Sequence, residues 1–273
     1  MKPPPFEHVP VESAEAAVAA LAEHGDEAKV LAGGQSLVPL LNMRLARPGV
    51  LVDVNRAHGL DGLEANGALT LGALVRQADA LESSVVLEQA PLFAAALRHV
   101  GHPATRNRGT LGGSLAHADP AAELPAVLLA LDGEVDALGP AGERTIAAEA
   151  LFTGPFTTAL APDELLVRVR LPLSSGRPCG FTELVRRPGD FALAGAAVCV
   201  GPARIVFFGL GGEPSRAAGA EKLLDAGAGA TEVAAAATRD LDPVSDVHAD
   251  GEYRRRVAGV VLRRALAEAG IDG

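Results

Sequence analysis

The residues of this chain best placed to do chemistry are two glycine pairs with small hydroxyl residues behind them. "LAGGQSL" at 31–37 sets Gly33-Gly34 before Gln35-Ser36, and "RGTLGGSLAHADPAAE" at 108–123 sets Gly112-Gly113 before Ser114. A glycine pair admits positive φ and carries no side chains, so neighbouring N–H groups can converge on one anion. A helix that begins there adds its own unpaired N–H groups and its dipole. One such turn suits a phosphate. Two brought together suit a pyrophosphate, and therefore a dinucleotide. The hydroxyls of Ser36, Thr110 and Ser114 are further donors. Taken singly, either Gly-Gly is more often only a tight turn; the repetition, each time ahead of a helix-like segment, favours binding.

Other chemistries fit less well. Neither turn has the G-x-G-x-x-G spacing of a Rossmann site, and no G-x-x-x-x-G-K-[ST] loop occurs. "GGSLA" at 112–116, with His117 and Asp119 close behind, has the look of a degenerate nucleophile elbow. An elbow needs a strand running into its serine, and a long polar stretch precedes this one. The two cysteines, Cys179 and Cys199, are too few for a four-thiolate cluster or a cysteine-rich zinc site. Their apolar, strand-like surroundings read as those of buried, inert thiols. A net charge of −10 argues against a nucleic-acid partner. The short basic groups (Arg106/Arg108, Arg186/Arg187, Arg254–Arg256) read as solvated faces or ion pairs. No run is long enough to span a bilayer and the opening residues lack a secretory pattern, so the expected location is cytoplasmic.

The elements that must position these turns follow from apolar period and punctuation. Ser13 caps a helix over "AEAAVAALAEH" that Gly25 stops. "AKVLAGG" is a buried strand entering the first turn, "SLVPLLNMRL" a helix leaving it, and "GVLVDV" another strand. Residues 1–55 thus form a first lobe. A hairpin about Asn66-Gly67 opens a second lobe, 56–169. Helices are predicted at 74–82 and 91–99, then a polar loop over 101–114 carrying the second glycine pair. "PAAELPAVLLAL" is a helix, and "GEVDAL" and "ERTI" are edge-like strands. Strands dominate 164–210 and helices the remainder, which gives an α+β domain over 170–273.

Four segments together resemble one family. "LAGGQSLVPLLNMRLARPGVLVDVNR", "RNRGTLGGSLAHADPAAELPAVLLALDGEV", "RRPGDFALAGAAV" and "GEYRRRVAGVVLRRAL" are similar to the FAD-binding medium subunit of molybdenum hydroxylases, the family of carbon monoxide dehydrogenase and xanthine dehydrogenase. The first glycine turn lies closest to the carbon monoxide dehydrogenase branch. The resemblance implies an α+β fold: a two-lobed FAD-binding domain of the PCMH (vanillyl-alcohol-oxidase-like) type, with a smaller C-terminal domain of sheet and helices. It implies FAD held without a covalent bond. Leu31, Ala32, Gly33, Gly34, Gln35, Ser36 and Leu37 would embrace the pyrophosphate from one side, and Thr110, Gly112, Gly113 and Ser114 from the other. Gly101 and Thr105 would add contacts, Asp119 or Glu123 would meet ribityl or ribose hydroxyls, and Leu165 or Leu166 would lie at the ring edge. Phe191 stands where the family often has tyrosine, and "GHPATRNRGT" replaces the usual "GHFQIRNRGT". No residue of this chain is assigned catalysis or metal binding. The molybdenum cofactor and the [2Fe-2S] clusters belong to a large and a small partner subunit. The implied function is electron transfer from those clusters through FAD to an external acceptor. A free-standing FAD oxidoreductase and a non-enzymatic dinucleotide-binding module are the rival readings.

Overall fold

The computed structural model describes residues 2–272. The first unit alternates strand and helix: β1 (Glu7–Pro10), α1 (Ala14–His24), β2 (Ala28–Leu31), α2 (Leu37–Asn42) and β3 (Val50–Asp53). β3 lies between β1 and β2 and runs parallel to both. Ser13 caps α1, its Oγ accepting from the Ala16 N–H at 3.1 Å, and Gly25 ends it at φ 52°. Ala17, Val18, Ala20 and Leu21 form the buried face of α1. The C-terminal end of β2 delivers the chain directly into the first glycine turn, the edge where parallel sheets usually bind ligands.

The second unit is a five-stranded antiparallel sheet with helices on it. Its parts in chain order are β4 (Leu63–Ala65), β5 (Ala68–Gly72), α3 (Gln77–Glu82), α4 (Ser84–Gln89), α5 (Pro91–Leu97), α6 (Pro103–Arg106), α7 (Leu111–His117), α8 (Glu123–Ala130), β6 (Glu134–Gly139), β7 (Gly142–Ala147), α9 (Ala148–Leu151), the small hairpin β8 (Phe152–Gly154) and β9 (Thr157–Thr158), and β10 (Leu165–Pro172). The strand order is β4-β5-β10-β6-β7. β10 is central, and a bulge between Leu166 and Arg168 changes which way its side chains face. Leu165 and Val167 join the core of the first unit, while Leu166, Val169 and Leu171 join that of the second.

The third unit is the antiparallel sheet β11 (Cys179–Leu184), β12 (Ala194–Cys199), β13 (Arg204–Phe208) and β14 (Ser215–Arg216), in that order, with α10 (Ala218–Asp225), α11 (Ala230–Arg239) and α12 (Gly251–Glu268). One sheet face carries the helices through Ala196, Val198, Ile205 and Phe207. The other presents Phe181, Ala197, Val206 and Phe208 to the core shared with α8. All eight residues of α8 are buried.

Several elements differ from expectation. β6 is interior, because β10 arrives from further along the chain to pair with it, and β7 is the edge. The 101–114 stretch contains α6 and the start of α7 rather than a continuous loop. β10 runs through residue 170, so the break between the second and third sheets falls in 173–178. Arg254 is neither solvated nor merely ion-paired. It is buried, donating to the Leu193 carbonyl at 2.8 Å and to Asp246 Oδ2 at 2.6 Å. The cysteines are not both fully buried: Cys199 is, whereas Cys179 is partly buried.

Candidate functional site

A cleft of about 800 Å³ opens where the three units meet. That volume is at the upper end of the range for small-molecule sites, about 300–1,000 Å³. Every residue expected at the site lines it except Leu31. Leu31 ends β2 beneath the first turn, where its carbonyl accepts from the Val54 N–H at 3.1 Å.

The first turn has the features of an anion cradle. Gly34 sits at φ 72°, a conformation L side chains adopt with strain. Among the described residues, the N–H groups of Gly33, Gly34, Gln35 and Ser36 donate to no backbone carbonyl. Gly33 is buried, Gly34 and Ser36 are half-buried and Gln35 is exposed, and all four line the cleft, so their N–H groups are available to a bound anion. The two glycine turns also touch: a Cβ on Gly33 would collide with the Arg108 carbonyl. Side chains from elsewhere clasp them. Asn55 Nδ2 donates to the Ala32 carbonyl at 2.9 Å, and Arg76 donates to Asn55 Oδ1 at 2.8 Å and to the Arg108 carbonyl at 2.5 Å.

The second turn works differently from expectation. Gly112 and Gly113 lie in the first turn of α7, at negative φ, and their N–H groups are already engaged. Gly112 donates to the Ala73 carbonyl at 2.9 Å and Gly113 to Thr110 Oγ1 at 3.1 Å, while Ser114 donates to the Thr110 carbonyl at 3.1 Å. These glycines are needed for close approach. A Cβ on Gly112 would sit 2.6 Å from the Ala73 methyl. The second turn therefore brings α7 against β5 and presents the hydroxyls of Thr110 and Ser114, and the free backbone donors come from the first.

Glu123 and Asp119 both reach the cleft. Glu123 is only 5% exposed, and burial, helped by the nearby charges of Glu183 and Asp119, pushes its carboxyl up to about 8. It is thus a neutral acid at pH 7, able to donate as well as accept. Asp119 Oδ1 accepts the Ala121 N–H at 2.9 Å, which fixes the turn into α8. Burial holds the His117 imidazole below its usual value, against the pull of Asp119. Leu165 and Leu166 form an apolar wall. Gly101 faces the Thr105 side chain on α6. Phe191, 62% exposed, stands at the rim on the β11–β12 loop, and Gly189 of that loop packs on the His102 ring.

Four participants lie outside the motifs the sequence singled out. Gln77, only 4% exposed, lines the cleft with an Oε1 that has no partner among the described residues. Phe156, at φ 55°, packs tilted against His117 with ring centroids 5.3 Å apart. Asn55 and Arg76 hold the turns together from outside the glycine motifs. The "VNR" after β3 was a visible polar break, but its partner lies 21 residues on. Among the described residues, no group of three or more His, Cys, Asp and Glu side chains is placed to hold a metal ion, and no helix is long and apolar enough to cross a membrane.

Residues 4–174 match the model of the FAD binding domain in molybdopterin dehydrogenase, and 180–269 that of the CO dehydrogenase flavoprotein C-terminal domain. The chain is 44% identical to the 6-hydroxypseudooxynicotine dehydrogenase complex subunit alpha of Paenarthrobacter nicotinovorans, over 98% of this chain and 96% of that one. It is 35% identical to the carbon monoxide dehydrogenase medium chain of Hydrogenophaga pseudoflava, with 97% of each covered. Among solved structures, carbon monoxide dehydrogenase from Hydrogenophaga pseudoflava superposes with a TM-score of 0.94 at 35% identity, covering 99% of both chains. Quinoline 2-oxidoreductase from Pseudomonas putida 86 gives 0.92 at 34% identity, with 98% of each covered.

Proposed function

Since this chain belongs to the FAD-binding medium subunits of molybdenum hydroxylases, we propose that the cleft between its three units holds FAD without a covalent bond, with its pyrophosphate at the first glycine turn. The observation that carries this reading is the row of unpartnered N–H groups from Gly33 to Ser36, pressed against the second turn in a cleft of dinucleotide size. The unpartnered Gln77 Oε1 gives the same wall a buried acceptor. The hydroxyls of Ser36, Thr110 and Ser114 would complete the phosphate site. Gly101 and Thr105 would flank it, and Ala32, Gln35 and Leu37 would shape its entrance. Protonated Glu123 and the Asp119 carboxyl would meet sugar hydroxyls. Leu165 and Leu166 would exclude water from the ring, and Phe191 would cover it.

Bound FAD supplies the redox chemistry, able to take electrons singly and release them in pairs. The protein's share is binding, orientation and dryness. The chain works as the flavin-binding member of an oxidoreductase complex. A small subunit carries the [2Fe-2S] clusters, a large subunit carries the molybdenum cofactor, and electrons pass from the clusters through FAD to an external acceptor. Membership of multi-subunit relatives favours this over a free-standing oxidoreductase or a non-enzymatic module. We further propose lobes over 1–55 and from 56 to the end of β10, followed by the C-terminal domain. A cytoplasmic location is also proposed, resting on the family to which the chain belongs.

Acid denaturation of the purified protein tests the site. Free FAD in the supernatant, at one per chain, is the expected result. Flavin remaining with the precipitate would overturn the non-covalent assignment, and a colourless chain that rejects added FAD would overturn the whole reading.

A further inference from the structure

Cys179 opens β11 and Cys199 closes β12, and the strand register sets them directly opposite one another. On the next rung outward the Val200 N–H donates to the Pro178 carbonyl at 2.9 Å. Rungs alternate in an antiparallel pair, so the cysteine rung is the non-hydrogen-bonded kind, with Cα atoms about 4.5 Å apart and side chains at their closest. A disulfide needs Cα atoms roughly 4.4–6.8 Å apart, so this rung accommodates one without backbone movement. The two Sγ atoms, here thiols, lie 2.6 Å apart.

The two sulfurs are unequal. Cys199 is fully buried, whereas Cys179 at the strand end is only partly buried. Arg177 is fixed beside them by donating to the Val200 carbonyl at 3.1 Å and to the Pro202 carbonyl at 2.5 Å. The hydrogen bond from Cys199, with the Arg177 charge, pulls the Cys179 thiol below its usual range against the effect of burial. Its hydrogen bond with Cys179, and then burial, push the Cys199 thiol up. One sulfur is a reachable nucleophile and the other a sheltered partner.

We propose that Cys179 and Cys199 form a reversible dithiol–disulfide pair, oxidised by peroxide, that closes the β11–β12 hairpin. The chemistry balances with hydrogen peroxide as oxidant. The Cys179 thiolate attacks one peroxide oxygen, the O–O bond breaks, and with one proton taken up a first water leaves a sulfenic acid on Cys179. The Cys199 sulfur then attacks that sulfur. The S–S bond forms, the S–O bond breaks, and hydroxide departs with a proton as the second water. Two thiols lose two electrons and two protons, and one peroxide becomes two waters. The bridge would tie the open end of the hairpin, whose opposite end carries Gly189, Asp190 and Phe191 to the cleft rim.

The test is to treat the purified protein with a graded series of hydrogen peroxide, quench with catalase, denature, alkylate with iodoacetamide and map the peptides by mass. Before oxidation both cysteines should alkylate. Afterwards neither should, a peptide joining residues 179 and 199 of one chain should appear, and dithiothreitol should restore both thiols. In Cys179→Ser, oxidation of Cys199 should slow roughly tenfold or more. Cys179 passing to sulfinic acid with Cys199 still alkylatable, both thiols surviving, or a bridge between two chains would each overturn the pair. Undiminished oxidation of Cys199 in Cys179→Ser would overturn the assignment of Cys179 as nucleophile. The readout needs no flavin, so it stands or falls apart from the cofactor site.

Discussion

Glu123 occupies the first position of α8, where a helix dipole ordinarily favours a negative carboxylate. Burial outweighs the dipole and holds its folded value at about 8, against 4.5 for a free side chain. In the unfolded chain the group ionises above pH 4.5, while in the folded chain it keeps its proton until about pH 8. The folded state therefore binds more protons across that window, and Glu123 lowers stability progressively as pH rises through it, by up to about 1.4 kcal/mol per pH unit. Glu123→Gln should match the parent near pH 4 and exceed its stability near pH 8. Urea melts of flavin-stripped protein at both values check this; parallel pH profiles for the two proteins would refute it. The glycines separate in the same way. Gly33→Ala drives a methyl into the Arg108 carbonyl and parts the two turns, so flavin occupancy should fall at least about tenfold with circular dichroism little changed. Gly112→Val strikes Ala73 inside the fold and should cost about 1–3 kcal/mol of stability first. Equal flavin occupancy in Gly33→Ala and the parent would show that the turns need not touch.

Among elements, the clasp of Asn55 and Arg76 joins a turn of the first unit to a turn of the second. Arg76→Ala removes donors from Asn55 and from the Arg108 carbonyl, and should cost about 1–3 kcal/mol in thermal unfolding together with weaker flavin retention. Arg76→Lys should recover only part, since one ammonium cannot reproduce the planar two-way reach. Calorimetry and flavin absorbance on the same samples decide it. Legibility in the sequence followed range. The Ser13 cap, the Gly25 stop and the Asn66-Gly67 hairpin are local devices, and all three formed where the residues place them. α7 was read as loop because glycine pairs are poor helix formers. Its reason for glycine is contact with Ala73, 39 residues away, which no local pattern contains. β6 was misplaced at an edge for a related reason: its second neighbour, β10, comes 26 residues after β6 ends. The glycine motifs announced the cleft, while Gln77 and the clasp were silent because their partners are tertiary.

At the scale of the whole molecule, the proposed flavin cleft is expected to draw its electrons from a partner subunit. Purified alone the chain should turn over slowly. Co-expressed with a small iron–sulfur and a large molybdenum subunit it should co-purify with iron and molybdenum, as metal analysis of an affinity pull-down would read. Ordinary enzymatic rates on a small substrate with no partner present would favour the free-standing oxidoreductase instead. The central place of β10 bears also on how the molecule is made. Strands β5 and β6 leave the ribosome well before the strand that must lie between them, and the bulged stretch Leu165–Leu171 completes the cores of both earlier units. A nascent chain that has not yet emerged through Pro172 holds two open half-cores and a cleft lacking its leucine wall. Domains fold as units once their last structural piece is released. Flavin loading at the proposed site would therefore wait for β10, and a ribosome stalled upstream of it would hold a chain whose cleft is incomplete.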